Sequence, residues 1–191
     1  RGKVESIESN QIGIPLEQKL EKNESATTYF SLATKLIHER TDPILILICG
    51  LSGTGKSTIG SQLCARIGAA YLSSDIVRKK IAGITLHDKI SKQQRDQIYT
   101  TEITQQTYTK MREKAEEYIQ RGYSVVLDAT HINILDRKKA LDIAKKYNHK
   151  TLIVDLQITK TEALRRIESR KFDHLSVSDA TSEIYLEQVQ Q

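Results

Sequence analysis

In the run GLSGTGKST, residues 50–58, the glycines Gly50, Gly53 and Gly55 lead into Lys56, Ser57 and Thr58. Glycine lets a backbone take positive φ and turn successive N–H groups into one concavity, and a helix starting at the lysine aims its positive end there. Such a concavity suits a chain of phosphates. Backbone N–H groups from Gly50 through Ser52, Gly53, Thr54 and Gly55 cradle the oxygens, and Lys56 pairs with the β and γ phosphates. The Ser57 hydroxyl ligates Mg²⁺, with Thr58 contributing less. Apolar residues 44–49 precede the run, and Ile59, Leu63 and Ile67 follow at helical spacing, so strand, loop and helix surround it in order.

Transfer of a phosphoryl group to a hydroxyl needs more than a cradle: an acceptor-side base or orienting group, a metal ligand, and positive charge over the phosphoryl oxygens. Asp75 follows the short apolar strand 69–73 and is the candidate base or hydroxyl orienter. Arg78, one turn further on the same face, is placed to grip the acceptor. The plain structural alternative is a helix cap with an i, i+3 ion pair. Asp128 ends the apolar strand 123–127 and is the candidate for holding Mg²⁺ or its water, although the roles of Asp75 and Asp128 are interchangeable at this level. Arg166 and Arg170, one turn apart, could close over the γ-phosphate as a lid, because guanidinium stays charged and grips bidentately; a solvated face is the alternative.

Other basic groups are less telling. Arg165 points to the surface, and Arg137, beside Lys138 and Lys139, either meets an acceptor phosphate or is solvated. His38, His87, His149 and His174 show no metal-ligand spacing, whereas His131, directly after Asp128-Ala129-Thr130, is a candidate for substrate contact.

The elements that must carry these groups alternate between strand and helix. Strands are expected at 44–49, 69–73, 123–127 and 151–156, and the alternation requires a parallel sheet with helices on both faces. The fold class is therefore α/β, a P-loop NTPase kinase-like three-layer sandwich. Ser91 with Gln94 opens one long helix that runs to about Arg121, Asn133 with Asp136 opens the next, and Thr159 with Glu162 opens the lid helix. A last short helix is expected near 182–189, and no fifth strand is legible. Residues 1–24, with the Ile14-Pro15 break, read as a linker or the tail of a preceding domain. The kinase-like domain spans 25–191: a helix at 25–41 with an apolar stripe on Tyr29, Phe30, Leu32, Ala33, Leu36 and Ile37, a core at 43–158, and a lid with a C-terminal helix at 159–191.

Composition narrows the class. The 191 residues carry a net charge of +5, which suits a protein handling phosphates, but no block of five like charges or interleaved aromatics marks a dedicated nucleic-acid surface. Two cysteines, Cys49 and Cys64, make no disulfide framework and suit a reducing cytoplasm. No apolar stretch reaches membrane-spanning length and no signal peptide is legible, so no membrane partner is expected. The chain begins at Arg1, which suggests a piece of a longer protein.

Taken together, GLSGTGKST, LSSDIVRKKIAG, VVLDAT with Arg137 nine residues on, and LRRIESR resemble the P-loop kinase-like C-terminal domain of bacterial fusion proteins with an aminoglycoside-phosphotransferase-like N-terminal part. More distantly they are similar to polynucleotide 5′-kinase, gluconate kinase and zeta toxin, although polynucleotide kinases often carry Asn where this chain has His131. The resemblance implies use of ATP and Mg²⁺, Asp75 on the acceptor and Arg166 or Arg170 in a lid, together with a fused or docking phosphotransferase-like neighbour. It leaves ATP versus GTP open. The expected function is an ATP-dependent kinase acting on a hydroxyl of a small molecule or a nucleic-acid 5′-OH. The alternative is a nucleotide-binding regulatory module of a larger fusion protein.

Overall fold

The structure, a computed structural model, describes residues 13–38, 42–88, 90–170 and 177–190. The chain falls into two units, residues 1–41 and 42–191. In the first, helix α1 (Leu16–His38) starts behind Pro15, whose carbonyl accepts the Lys19 N–H at 3.1 Å. This corrects the expected start at Ser25. The stretch read as linker supplies Leu, Glu, Gln and Lys, good helix formers, and proline is well tolerated at a helix start. Residues 1–12 and the side chains of Phe30, Leu32, Ala33, Leu36 and Ile37 lie outside the described residues.

The second unit is built on four parallel strands, β1 (Ile44–Cys49), β2 (Ala70–Ser73), β3 (Val125–Asp128) and β4 (Lys150–Asp155), in the spatial order β2-β3-β1-β4. The strand leading into the glycine loop is central. Its near-continuous apolar spelling follows from burial on both faces. Leu45, Leu47 and Cys49 face one layer, formed by α5 (Thr101–Gln120) and α6 (Ile134–Lys146), through Tyr108, Met111, Ala115, Ala140 and Ala144. Ile46 and Ile48 face the other layer and α2 (Lys56–Ile67) through Leu63 and Cys64. Helices on both faces of a parallel sheet make the expected α/β sandwich.

The remaining helices are α3 (Ser74–Ile81), α4 (Lys92–Ile98), α7 (Lys160–Ser169) and α8 (Ser182–Val189). One expected helix is two. The run from Ser91 to Arg121 breaks after Ile98, and Thr100 restarts it as an N-cap whose side chain accepts the Ile103 N–H. A hydroxyl at an N-cap and Glu102 in the first turn were the local signals for this start. The Ser91–Gln94 capping box forms as expected.

Candidate active site

All strands point their carboxyl ends the same way, and the loops that leave them meet around one cavity of about 680 Å³. Its floor is the glycine loop. Gly53 takes φ 84° and Gly55 takes φ 94°, and a Cβ on Gly53 would stand 2.7 Å from the Ala163 carbonyl oxygen, so α7 packs directly on loop backbone. Ser52, Gly53, Gly55, Lys56 and Ser57 line the cavity. Gly50 and Thr54 do not: the Gly50 N–H donates to the Thr130 carbonyl and the Thr54 hydroxyl donates to the Leu51 carbonyl, so both shape the loop. Thr58 is exposed on α2, away from the cavity lining.

Lys56 Nζ donates to the Leu51 carbonyl at 2.8 Å. Burial holds its pKa below the ordinary lysine value, and the carboxylates of Asp128 and Asp75 push back. Lys56 and those two acids line the same cavity. Asp128, 2% exposed at the end of β3, accepts a hydrogen bond from the Tyr71 hydroxyl. Burial raises its pKa, and hydrogen bonds from Tyr71 and Ser57 together with the Lys56 charge draw it back down. Ser57 and Asp128 are oxygen donors side by side, which fits Mg²⁺, a hard cation usually held by one or two protein oxygens plus substrate phosphates. No cluster of three or more His, Cys, Asp or Glu exists among the described residues, so the donor set does not suit zinc.

Asp75 stands in the first turn of α3 and lines the cavity, while the N-cap position belongs to Ser73. Arg78, one turn on, is nearly buried. Its Nη1 donates to the Ile98 carbonyl at 3.1 Å and to the Thr104 hydroxyl at 3.0 Å, and its guanidinium lies 4.5 Å from the centre of the Tyr99 ring. The break between α4 and α5 thus exposes the carbonyl and presents the ring that fix this arginine. Thr101, Thr104, Gln105 and Thr109 of α5 and Asn133 at the start of α6 complete a polar wall facing Asp75.

Of the two expected lid arginines, Arg170 lines the cavity and its charge acts on Lys56. Arg166 leans over the loop, with Nη1 3.5 Å from where a Gly55 Cβ would be, and pairs with Glu162 at 2.7 Å. Arg165 is exposed and shares Glu162. Thr159 caps α7 by accepting the Glu162 N–H, while the Glu162 carboxylate serves the two arginines.

His131 is placed elsewhere. It is 1% exposed, edge-on to Tyr108, and lines a second cavity behind the loop rather than the main one. Burial lowers its pKa to about 4, and the adjacent Leu127 carbonyl offsets only part of that. Arg137 also lies there and donates to the His131 and Ile132 carbonyls, a loop brace rather than an acceptor contact.

Four residues with no expected role, Tyr71, Lys79, Asp179 and Gln188, brace the elements around the cavity, and Gln188 also lines it. Tyr71 binds Asp128. Lys79, fully buried on α3, donates to the Leu86 and Asp88 carbonyls and pairs with Asp179 at 3.1 Å. Gln188 of α8 accepts the Ser52 N–H at 2.9 Å and lines the cavity. These contacts join residues 57, 100 and 136 positions apart, so periodicity and local motifs carry no trace of them.

A phosphate loop fed by the central strand of a parallel sheet, facing an Asp and an Arg across one cavity, defines a P-loop kinase-like domain. The chain belongs to the AAA_33 family of AAA domains, whose model matches residues 45–191. Adenylate kinase of Pyrococcus horikoshii is 31% identical over 135 residues, which cover 66% of this chain and 56% of that protein. Shikimate kinase of Caldanaerobacter subterraneus is 24% identical over 123 residues, 64% of this chain and 70% of that one. Gluconokinase of Sinorhizobium meliloti shares the fold, with a TM-score of 0.52 at 19% identity over 79% of this chain and 75% of its own. The chain spans little more than half the length of the adenylate kinase it matches.

Proposed function

We propose that this domain is an ATP-dependent kinase that moves the γ-phosphoryl group onto a hydroxyl of a small molecule or a nucleic-acid 5′ end. The observation that carries the reading is the single cavity lined on one side by the glycine loop and on the other by Asp75, Arg78 and the polar wall of α5. A switch or motor needs only the first half. The relatives are named as kinases of three different acceptors, which supports the reaction class and leaves the acceptor to experiment.

In this reading the triphosphate lies on the backbone N–H groups of Gly53 to Ser57, with Lys56 on its β and γ oxygens. Ser57 and Asp128 would hold Mg²⁺, which supplies positive charge against the phosphate oxygens when bound. Arg78 anchors the acceptor. Asp75 orients its hydroxyl and takes the proton as the new O–P bond forms and the bond from the γ-phosphorus to the ADP oxygen breaks. Arg170 and Arg166 reach the transferring group from the α7 side, where a fixed positive charge favours the charge spread over its equatorial oxygens.

Incubation with γ-labelled ATP, Mg²⁺ and panels of sugars, sugar acids, nucleosides, aminoglycosides and 5′-OH oligonucleotides tests the proposal. Label is expected in at least one acceptor, and a nucleic-acid acceptor would show steeply salt-dependent binding. Label released only as inorganic phosphate, at a rate unchanged in Asp75→Asn, contradicts it and favours a nucleotide-sensing module.

A further inference from the structure

Gly60 stands in the interior of α2, where glycine costs about 1 kcal/mol relative to alanine. The neighbours show what the missing side chain makes room for. A Cβ there would lie 2.9 Å from Cε2 of Tyr71 and 3.1 Å from Cδ1 of Ile48. The Tyr71 ring therefore rests on the backbone of the helix that follows the phosphate loop, packed with Ile46, Ile48, Cys64 and Val126. With a methyl group at position 60 the ring could not stand there.

That placement sets where the hydroxyl goes. Tyr71 belongs to β2, next to β3, and its hydroxyl reaches Oδ2 of Asp128 at the carboxyl end of the sheet, with the Ser57 and Ser73 hydroxyls also within hydrogen-bonding reach. The phenol O–H is the donor and the carboxylate oxygen the acceptor. Asp128 itself is 2% exposed and lines the cavity. The Tyr71 hydroxyl thus holds one oxygen of this carboxylate.

We propose that Tyr71 is a positioning residue for the divalent-cation half of the site, fixing the Asp128 carboxylate against Ser57, and that Gly60 is the space its ring requires. Outer partners of ligating carboxylates commonly govern metal affinity by ten- to a hundredfold. The inference rests on the kinase reading for its ligand, but its test needs no turnover.

Mn²⁺ binding to the full chain with ADP present, followed by electron paramagnetic resonance, is compared with ADP affinity in EDTA. Tyr71→Phe keeps the ring on Gly60 and removes only the hydroxyl. It should weaken Mn²⁺ binding about tenfold and leave metal-free ADP affinity within about twofold of wild type. Gly60→Ala keeps the hydroxyl but displaces the ring, and should show the same selective loss. Equal Mn²⁺ affinity in wild type and Tyr71→Phe overturns the proposal, as does a parallel loss of metal-free and metal-dependent binding, which would make Tyr71 merely structural. Failure of the wild-type protein to bind ADP at all would instead overturn the kinase reading beneath it.

Discussion

His131 shows how backbone and side chain can have separate reasons. Its φ is 48°, in the left-handed region that Asn and His enter more readily than most residues, which gives a conformational reason for either to follow Asp-x-Thr. Its ring is buried, and the cost of charging it there lowers the pKa to about 4, with Arg137, Lys56 and Arg112 adding repulsion. The unfolded chain binds this proton near pH 6.5, so the contribution of neutral His131 to stability is complete above that pH. It is lost as pH falls towards 4, up to about 3 kcal/mol. His131→Asn keeps the backbone and removes the titration, so urea unfolding between pH 7 and pH 4 should show a shallower loss of stability than wild type; identical slopes would contradict the assignment. At this scale the sequence was legible wherever chemistry is local. The placement of Lys56, Ser57, Asp75 and Asp128 around one cavity follows from their spacing from glycines or strand ends, whereas His131 lines the second cavity, because adjacency to Asp128 says nothing about which side of the loop a ring faces.

Among the elements, α3 carries the most: Asp75 and Arg78 towards the cavity, and Lys79 beneath it. The Lys79 ammonium spends its hydrogen bonds on Leu86, Asp88 and Asp179, tying α3 to the loop after it and to the segment that enters α8. Removing one partner of a buried pair leaves the other charged and unpaired, so Lys79→Met should cost roughly 3–5 kcal/mol in urea unfolding. Lys110→Met, which breaks an exposed i, i+3 pair on α5, should stay within about 0.5 kcal/mol. Similar small losses in both variants would show that the buried pair is not a clamp. The break between α4 and α5 belongs to the same logic. Residues on either side favour helix, and what decides the interruption is the Thr100 cap together with the seat of Arg78 on Ile98 and Tyr99. The interior glycine of α2 was a readable sign that something packs closely there; its partner, Tyr71 on β2, was not readable because β2 and α2 meet only in the fold.

For the molecule as a whole, alternation of apolar runs with helical periodicity fixed the sandwich, since a parallel sheet follows from strand–helix–strand connection alone. Burial of β4 did not follow. Its spelling, KTLIVD, resembles a buried strand, yet Leu152 and Ile153 are nearly half exposed because β4 lies at the sheet margin, paired only with β1 among the described residues. No helix of the described residues is long and apolar enough to cross a membrane. What the whole arrangement provides is one cavity lined by the glycine loop, Asp75, Arg78 and the polar side chains of α5, and the proposal that a nucleotide and an acceptor occupy it together during reaction is the central one. The most direct test follows ADP and phosphorylated acceptor in the same reaction, with wild type and with Asp75→Asn. Wild type should form one phosphorylated product per ADP, and Asp75→Asn should be slower by about 10²–10⁴ with ATP affinity retained. ADP formed without phosphorylated acceptor, at equal rates in both proteins, would contradict the proposal.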